Sequence, residues 1–161
     1  MRAIAEDLLA LVARCTPLLL AVPAAAAAVR PAPGKWSRRE ILGHLIDSAG
    51  NNQQKFVRLQ TGGGALAFVG YAQDAWVAAQ RYQDADWGQL VRWWQAANEH
   101  LAHVIAHIDP AHHGHTITLD GHGPFRLDFI VPDYVEHQKH HLRAALPDAD
   151  ITSAFRNLYG A

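Results

Sequence analysis

A helix start is written into Trp36-Ser37-Arg38-Arg39-Glu40-Ile41. Ser37 and Glu40 stand three residues apart, so each side chain can satisfy the other's free backbone N–H, the reciprocal pairing of a capping box. Trp36 and Ile41 occupy the two positions of a hydrophobic staple. The helix begun there reaches Thr61-Gly62-Gly63-Gly64, where glycine stops it, so a helix is predicted from Ser37 to about Gln60. Ile41, Leu45, Ala49, Phe56 and Leu59 line one face of it. An amphipathic helix of that length must bury its stripe against other helices.

The partners are legible nearby. Residues 2 to 14 carry Ile4, Leu8, Leu11 and Val12 at helical spacing, and Thr16-Pro17 is expected to cap and restart a short second piece. The stretch from Pro23 to Gly34 reads as a partly helical connection. Gly70-Tyr71 suggests a loop and Asp74 a short helix after it. Asp86 caps a long helix to about Ile108, with Leu90, Trp94, Ala97, Leu101, Val104 and Ile108 as its stripe. Thr116 to Leu119 alternates like a strand, and Asp120-Gly121 is the turn of a hairpin returning through Phe125 and Leu127. A last helix is predicted from about Val131 to Leu146, with Pro132 in its first turn and Pro147 beyond its end. The expected fold is all-α, an antiparallel four-helix bundle with a small β-hairpin before the last helix. The 161 residues suit one domain, 1–161.

Composition excludes several classes. Fourteen basic against fifteen acidic side chains fit neither a basic nucleic-acid binder nor a polyacidic tail. The single cysteine, Cys15, allows no internal disulfide and no cysteine-rich zinc site; it reads as a small buried hydrophobe. Leu8 to Val29 has the outline of a secretory leader, but Glu6 and Asp7 stand where positive charge is expected and Arg14 breaks the apolar run. The expectation is a core helix of a cytoplasmic protein, without a membrane span. Gly62-Gly63-Gly64 lacks the Lys-Ser/Thr of a phosphate-binding loop, and Gln138 after His137 departs from the His-Glu-x-x-His of zinc proteases.

Eleven histidines are the unusual number. Two pairs, His103/His107 and His137/His141, put imidazoles one helical turn apart, where both can reach one ion. A composition this rich in histidine produces such pairs by chance, so helical phase must separate them. His100, His103 and His107 lie beside their apolar stripe and read as a solvated rim. On the last helix, Tyr134, His141 and Ala145 fall within about 20° of one line and His137 about 60° away, whereas His140 lies about 120° off and should point outward. Two inward imidazoles need partners, and a metal ion could serve both. Across from them, His44, Ser48, Asn51 and Lys55 run along the edge of the capped helix and Asn52 falls inside its stripe, which suggests a polar cavity. The candidate site is therefore a metal held by His44, His137 and His141, with Ser48, Asn51, Asn52 and, at the pocket mouth, Trp76 as pocket residues.

Lys35-Trp36-Ser37, Gly43-His44-Leu45-Ile46-Asp47-Ser48, Asp133-Tyr134-Val135-Glu136-His137 and His140-His141-Leu142 occur in an order and spacing that resembles the DinB-like superfamily. The resemblance spans almost the whole chain. It implies a four-helix bundle with a three-histidine divalent metal site, ligands at His44, His137 and His141, and a homodimer as a common assembly. Some members are transferases or isomerases using low-molecular-weight thiols; the superfamily's link to DNA damage is one of induction and implies no nucleic-acid binding. Imidazole suits zinc, nickel, copper and iron alike. The expectation is a divalent ion, zinc or nickel ahead of manganese or iron. Protonation should weaken its binding below about pH 6. Two function classes follow: a metal-dependent hydrolase or thiol transferase acting on a small molecule, possessing an open coordination position, or a non-catalytic metal- or ligand-binding stress-response bundle with the metal closed by a fourth protein ligand. No residue stands out as the general base.

Overall fold

The computed structural model describes residues 1–156. Four long helices dominate it: α1 (Arg2–Ala21), α3 (Arg38–Thr61), α5 (Trp87–Ala106) and α6 (Leu127–Ala145), with the short α2 (Ala24–Ala27) and α4 (Gln73–Ala79) in the connections. Helices α1 and α3 each pack against both α5 and α6. The buried apolar side chains form one cluster between them, centred on Leu8, Leu45, Phe56, Trp94, Leu101 and Leu142. No helix among the described residues is long and apolar enough to cross a membrane.

Helix α3 begins where the capping box demands. Ser37 N donates to Glu40 Oε2 at 2.8 Å, and Glu40 N to Ser37 Oγ at 3.3 Å. The Glu40 carboxylate also accepts from Arg30 Nε at 2.9 Å, and these bonds hold its pKa below the usual carboxylate range. Arg38 Nε donates to Ala145 O at 2.7 Å, which ties the start of α3 to the end of α6. Asp86 caps α5 through Gln89 N, as its position predicts.

Three elements depart from the expectation. Helix α1 runs through Pro17 instead of restarting there. The proline removes one N–H, but Cys15, Thr16 and Leu19 are buried on either side of it, and that burial holds the turn together. Helix α6 opens at Leu127, directly from the strand, and Pro132 lies inside it. Leu127 is fully buried, so the hairpin's last expected strand residue serves as the helix's first core contact. The sheet has three strands. Strands β2 (Thr116–Leu119) and β3 (His122–Arg126) pair antiparallel, with Asp120 and Gly121 both at positive φ in the turn. Strand β1 (Ala65–Phe68) adds in parallel, with Ala65 opposite Thr116 and Phe68 opposite Leu119. Its partner lies far along the chain, as parallel pairing requires, so nothing local in the sequence marks it.

Buried polar side chains stitch α3, α5 and α6 together. Trp94 Nε1 donates to Gln138 Oε1 at 2.9 Å, and Tyr134 Oη to Asn98 Oδ1 at 2.6 Å. Asn98 Nδ2 is satisfied by Trp94 O at 2.8 Å. Asn98 and Gln138 are both fully buried, and the network fixes the rotation of α6 on which two of the three histidines depend.

Candidate metal centre

His44 of α3 and His137 and His141 of α6 converge. One ring nitrogen from each lies within 4.8 Å of the other two. The Nε2 atoms of His44 and His137 are 3.2 Å apart, and the His141 ring centroid is 4.6 Å from both neighbouring rings. Two ligands each about 2.1 Å from a common ion sit about 3.0–3.4 Å apart, so this spacing is that of a shared coordination sphere. Ser48 Oγ lies 3.4 Å from His137 Nδ1 and steadies the ring from behind. Trp36, the residue before the α3 cap, places its ring 5.0 Å from His44 and 6.3 Å from His141, walling the cluster on one side.

Burial decides the charge of the cluster. His44 is fully buried and its pKa is pushed down to about 4, chiefly by desolvation. That of His141 falls to about 3, by burial first and then by His44 and His140. His137 is lowered well below the ordinary value, again by burial first and then by the neighbouring imidazoles. All three therefore present neutral lone pairs at neutral pH. His44 Nδ1 is buried with no hydrogen-bond partner among the described residues. Three neutral imidazoles facing one another, with His44 Nδ1 unmatched, are a poor hydrogen-bonded core and a good donor set for a borderline divalent cation. Among the described residues no fourth histidine, cysteine or carboxylate joins the group. Glu40 is taken by Arg30, and Glu136 by Lys139 at 2.8 Å.

The cluster forms one wall of a cavity of about 460 Å³, open to solvent. Ser48, Asn51 and Asn52 line it, as their phase predicts. Asn51 Nδ2 donates to Asp47 O and Asn52 Nδ2 to Ser48 O, both at 2.9 Å. With the amide N–H groups turned back onto the helix, each amide offers the cavity its oxygen as an acceptor. Trp76 does not line this cavity. Its ring lies tilted against that of Tyr71 at 4.6 Å between centroids, and Tyr71 itself lines the cavity. A helix of seven residues is too short for its periodicity to place Trp76 at a pocket mouth. His140 is exposed but stands on the cavity rim, its ring 5.0 Å from His141, and does not point away from the site. The rim lies above the inward line of α6, so a helix-wheel angle places His140 on the wrong side. Phe155 was missed altogether: it follows α6 in a segment without periodicity, yet its ring packs 5.1 Å from His137. Gln138, legible in the sequence only as a departure from a protease motif, is fully buried and accepts from Trp94 Nε1. His103 on α5 and His107 at its C-cap are exposed and do not belong to the cluster.

A sequence model of the DinB superfamily matches residues 4–145. Among solved structures, the fold is similar to YfiT from Bacillus subtilis, described as a probable metal-dependent hydrolase with an unusual four-helix bundle topology. The TM-score is 0.80 at 18 % identity, covering 91 % of this chain and 83 % of YfiT. At that identity the likeness is one of fold. No curated protein sequence matches the chain. With the family match running from α1 to the end of α6, the chain belongs to the DinB superfamily.

Proposed function

We propose that this protein is a metal-dependent hydrolase acting on a small molecule, with a divalent ion held by His44, His137 and His141. The observation that carries the reading is the convergence of three neutral imidazoles on the wall of an open, polar-lined cavity, with no fourth protein donor among the described residues. A purely structural zinc fills its fourth position with protein, and a catalytic one leaves it to solvent or substrate. A divalent ion bound there lowers the pKa of a coordinated water or thiol and so supplies a nucleophile at neutral pH. The description of YfiT favours hydrolysis, and transfer to a low-molecular-weight thiol is the second reading, since the same site would hold a thiolate.

The chain's own residues have definable tasks. His44, buried and inflexible between Trp36 and α6, holds the ion from the α3 side, and Ser48 orients the His137 ring. Asn51 and Asn52 present acceptors to N–H or O–H groups of a substrate. Tyr71 lines the cavity with a phenol that is protonated at neutral pH, and burial raises its pKa further, so it serves the cavity as a hydrogen-bond donor.

Metal analysis of protein purified without a histidine tag tests the reading. About one equivalent of divalent ion is expected, retained by His103→Ala and lost from His44→Ala, with both variants folded by circular dichroism. A cobalt-substituted sample should change its spectrum when a small thiol is added. Equal metal loss from both variants, or a cobalt spectrum indifferent to thiols and carboxylates, would overturn the open catalytic site.

A further inference from the structure

Seven of the eleven histidines fall within residues 100–122, and no lysine or arginine occurs between Arg92 and Arg126. The three-histidine centre uses none of these seven. A histidine-rich stretch free of other cations suits metal binding. Within it, His103 in the last turn of α5 and His107 at its C-cap have ring centroids 4.3 Å apart, against 4.6 Å for His137 and His141 in the centre. Helical spacing alone does not separate a chelating pair from a chance one, but ring orientation does. The carbonyl of His103 accepts a hydrogen bond at 2.7 Å, so His107 Nδ1 must be the donor. With its proton on Nδ1, His107 carries its lone pair on Nε2. That is the tautomer, and the backbone anchor, of a metal-ligating histidine. No hydrogen bond occupies the His103 ring among the described residues.

We propose that His103 and His107 form a second metal site, a solvent-exposed chelate of two imidazoles that binds copper(II) ahead of nickel(II) and zinc(II). Both side chains are exposed, so an ion reaches them without any opening of the bundle. The surroundings favour positive charge. Helix α5 ends here, with the negative end of its dipole, and the nearest charged residues along the chain are Glu99 and Asp109. Two nitrogens completed by water suit the tetragonal coordination of copper(II), which also heads the affinity order of the divalent first-row ions. With two protein donors instead of three, and open access for buffer ligands, this ion exchanges readily. The metal retained through purification is then that of the three-histidine centre. No residue is shared between the two sites, so either can fail without the other.

The test is equilibrium dialysis of copper(II) against untagged protein in an excess of glycine, a competing chelator, with nitrogen ligation read by electron paramagnetic resonance. The wild type should bind about one equivalent more than His103→Gln or His107→Gln, and that increment should carry the signature of two imidazole nitrogens. Removing either ring leaves a single donor, so affinity at this site should fall at least about tenfold. His44→Ala should leave the increment intact. So should His115→Gln, which breaks the other close pair of the segment, His112 and His115, at 4.7 Å between centroids. A wild type that binds no more copper than His103→Gln overturns the proposal. So does a loss confined to one of the two folded variants, or an equal loss in His100→Gln or His115→Gln, which would mean diffuse binding over the histidine-rich surface. His107→Gln gives up the bond to His103 O; should that variant unfold, His103→Gln decides alone.

Discussion

Three imidazoles packed together without a carboxylate behave differently from three in water, and the difference sets the pH dependence of the site. Free histidine titrates near 6.5, and on that basis alone metal binding should weaken below about pH 6. Burial moves the competition downward: His44 is pushed to about 4 and His141 to about 3, and His137 is lowered as well. The ligands stay neutral through the range where an exposed chelator protonates. Metal content measured after dialysis should therefore hold from pH 7 to about pH 5 and fall only as pH approaches about 4. The same shifts fix the sign for the metal-free protein. Each folded-state pKa lies below its unfolded value, so the unfolded chain takes up protons first as pH drops. The stability carried by the neutral histidines is complete above about pH 6.5 and is lost between there and about pH 4. A melting temperature that declines over that window is expected, and His141→Gln should flatten the decline. A metal-free protein whose melting temperature is level from pH 7 to pH 4 would show that these rings remain solvated.

At the scale of elements, what sequence reveals depends on whether the stabilising partner is local. The α3 start was legible because Ser37 and Glu40 satisfy each other within one turn. Strand β1 was not, because its hydrogen bonds go to β2 across a long crossover. The α6 histidines could be phased, since nineteen residues of helix average out errors in angle; the seven of α4 could not place Trp76. Gly43 shows the limit most sharply. A Cβ there would lie 2.1 Å from Tyr82 Cδ2, and nothing in the α3 sequence reports that neighbour. The Tyr82 ring cannot easily yield. It is buried, and its hydroxyl donates to Asp47 Oδ1 at 2.8 Å. Replacing glycine by alanine inside a helix ordinarily gains about 1 kcal/mol. Here overpacking should cost about 1–3 kcal/mol or more and reverse that gain. Gly43→Ala is expected to lower the melting temperature by several degrees, and to weaken metal retention because His44 is the next residue. A melting temperature equal to or above that of the wild type would mean that the 82–84 turn moves aside freely.

At the scale of the whole molecule, the chain after α6 closes a loop that helix periodicity alone leaves open. Residues 146–156 turn back along α6, anchored by the buried Leu146 and Ile151. Ser153 Oγ donates to Glu136 O at 2.9 Å and Ala154 N to Glu136 Oε2 at 2.6 Å. Lys139 bridges that same Glu136 carboxylate to Asp7 on α1, and Arg14 of α1 reaches Asp150 O. The segment thus joins the first helix to the last and delivers Phe155 to the cavity, 5.1 Å from the His137 ring and 5.4 Å from that of His140. An apolar ring so placed excludes water from one side of the cluster, which strengthens whatever electrostatics operate within it. Phe155 is only half-buried and contributes little to the central core, so Phe155→Ala should leave the melting temperature nearly unchanged. Metal removal by a chelator should instead become several-fold faster, because water and chelator gain access to His137. Glu136→Gln weakens the anchor without touching the ring and should accelerate metal loss in the same direction. If both variants release metal at the wild-type rate, the tail is packing alone and the cavity is reached from the Tyr71 side. If only Phe155→Ala is faster, the ring shields the cluster without needing the Glu136 anchor to hold it there.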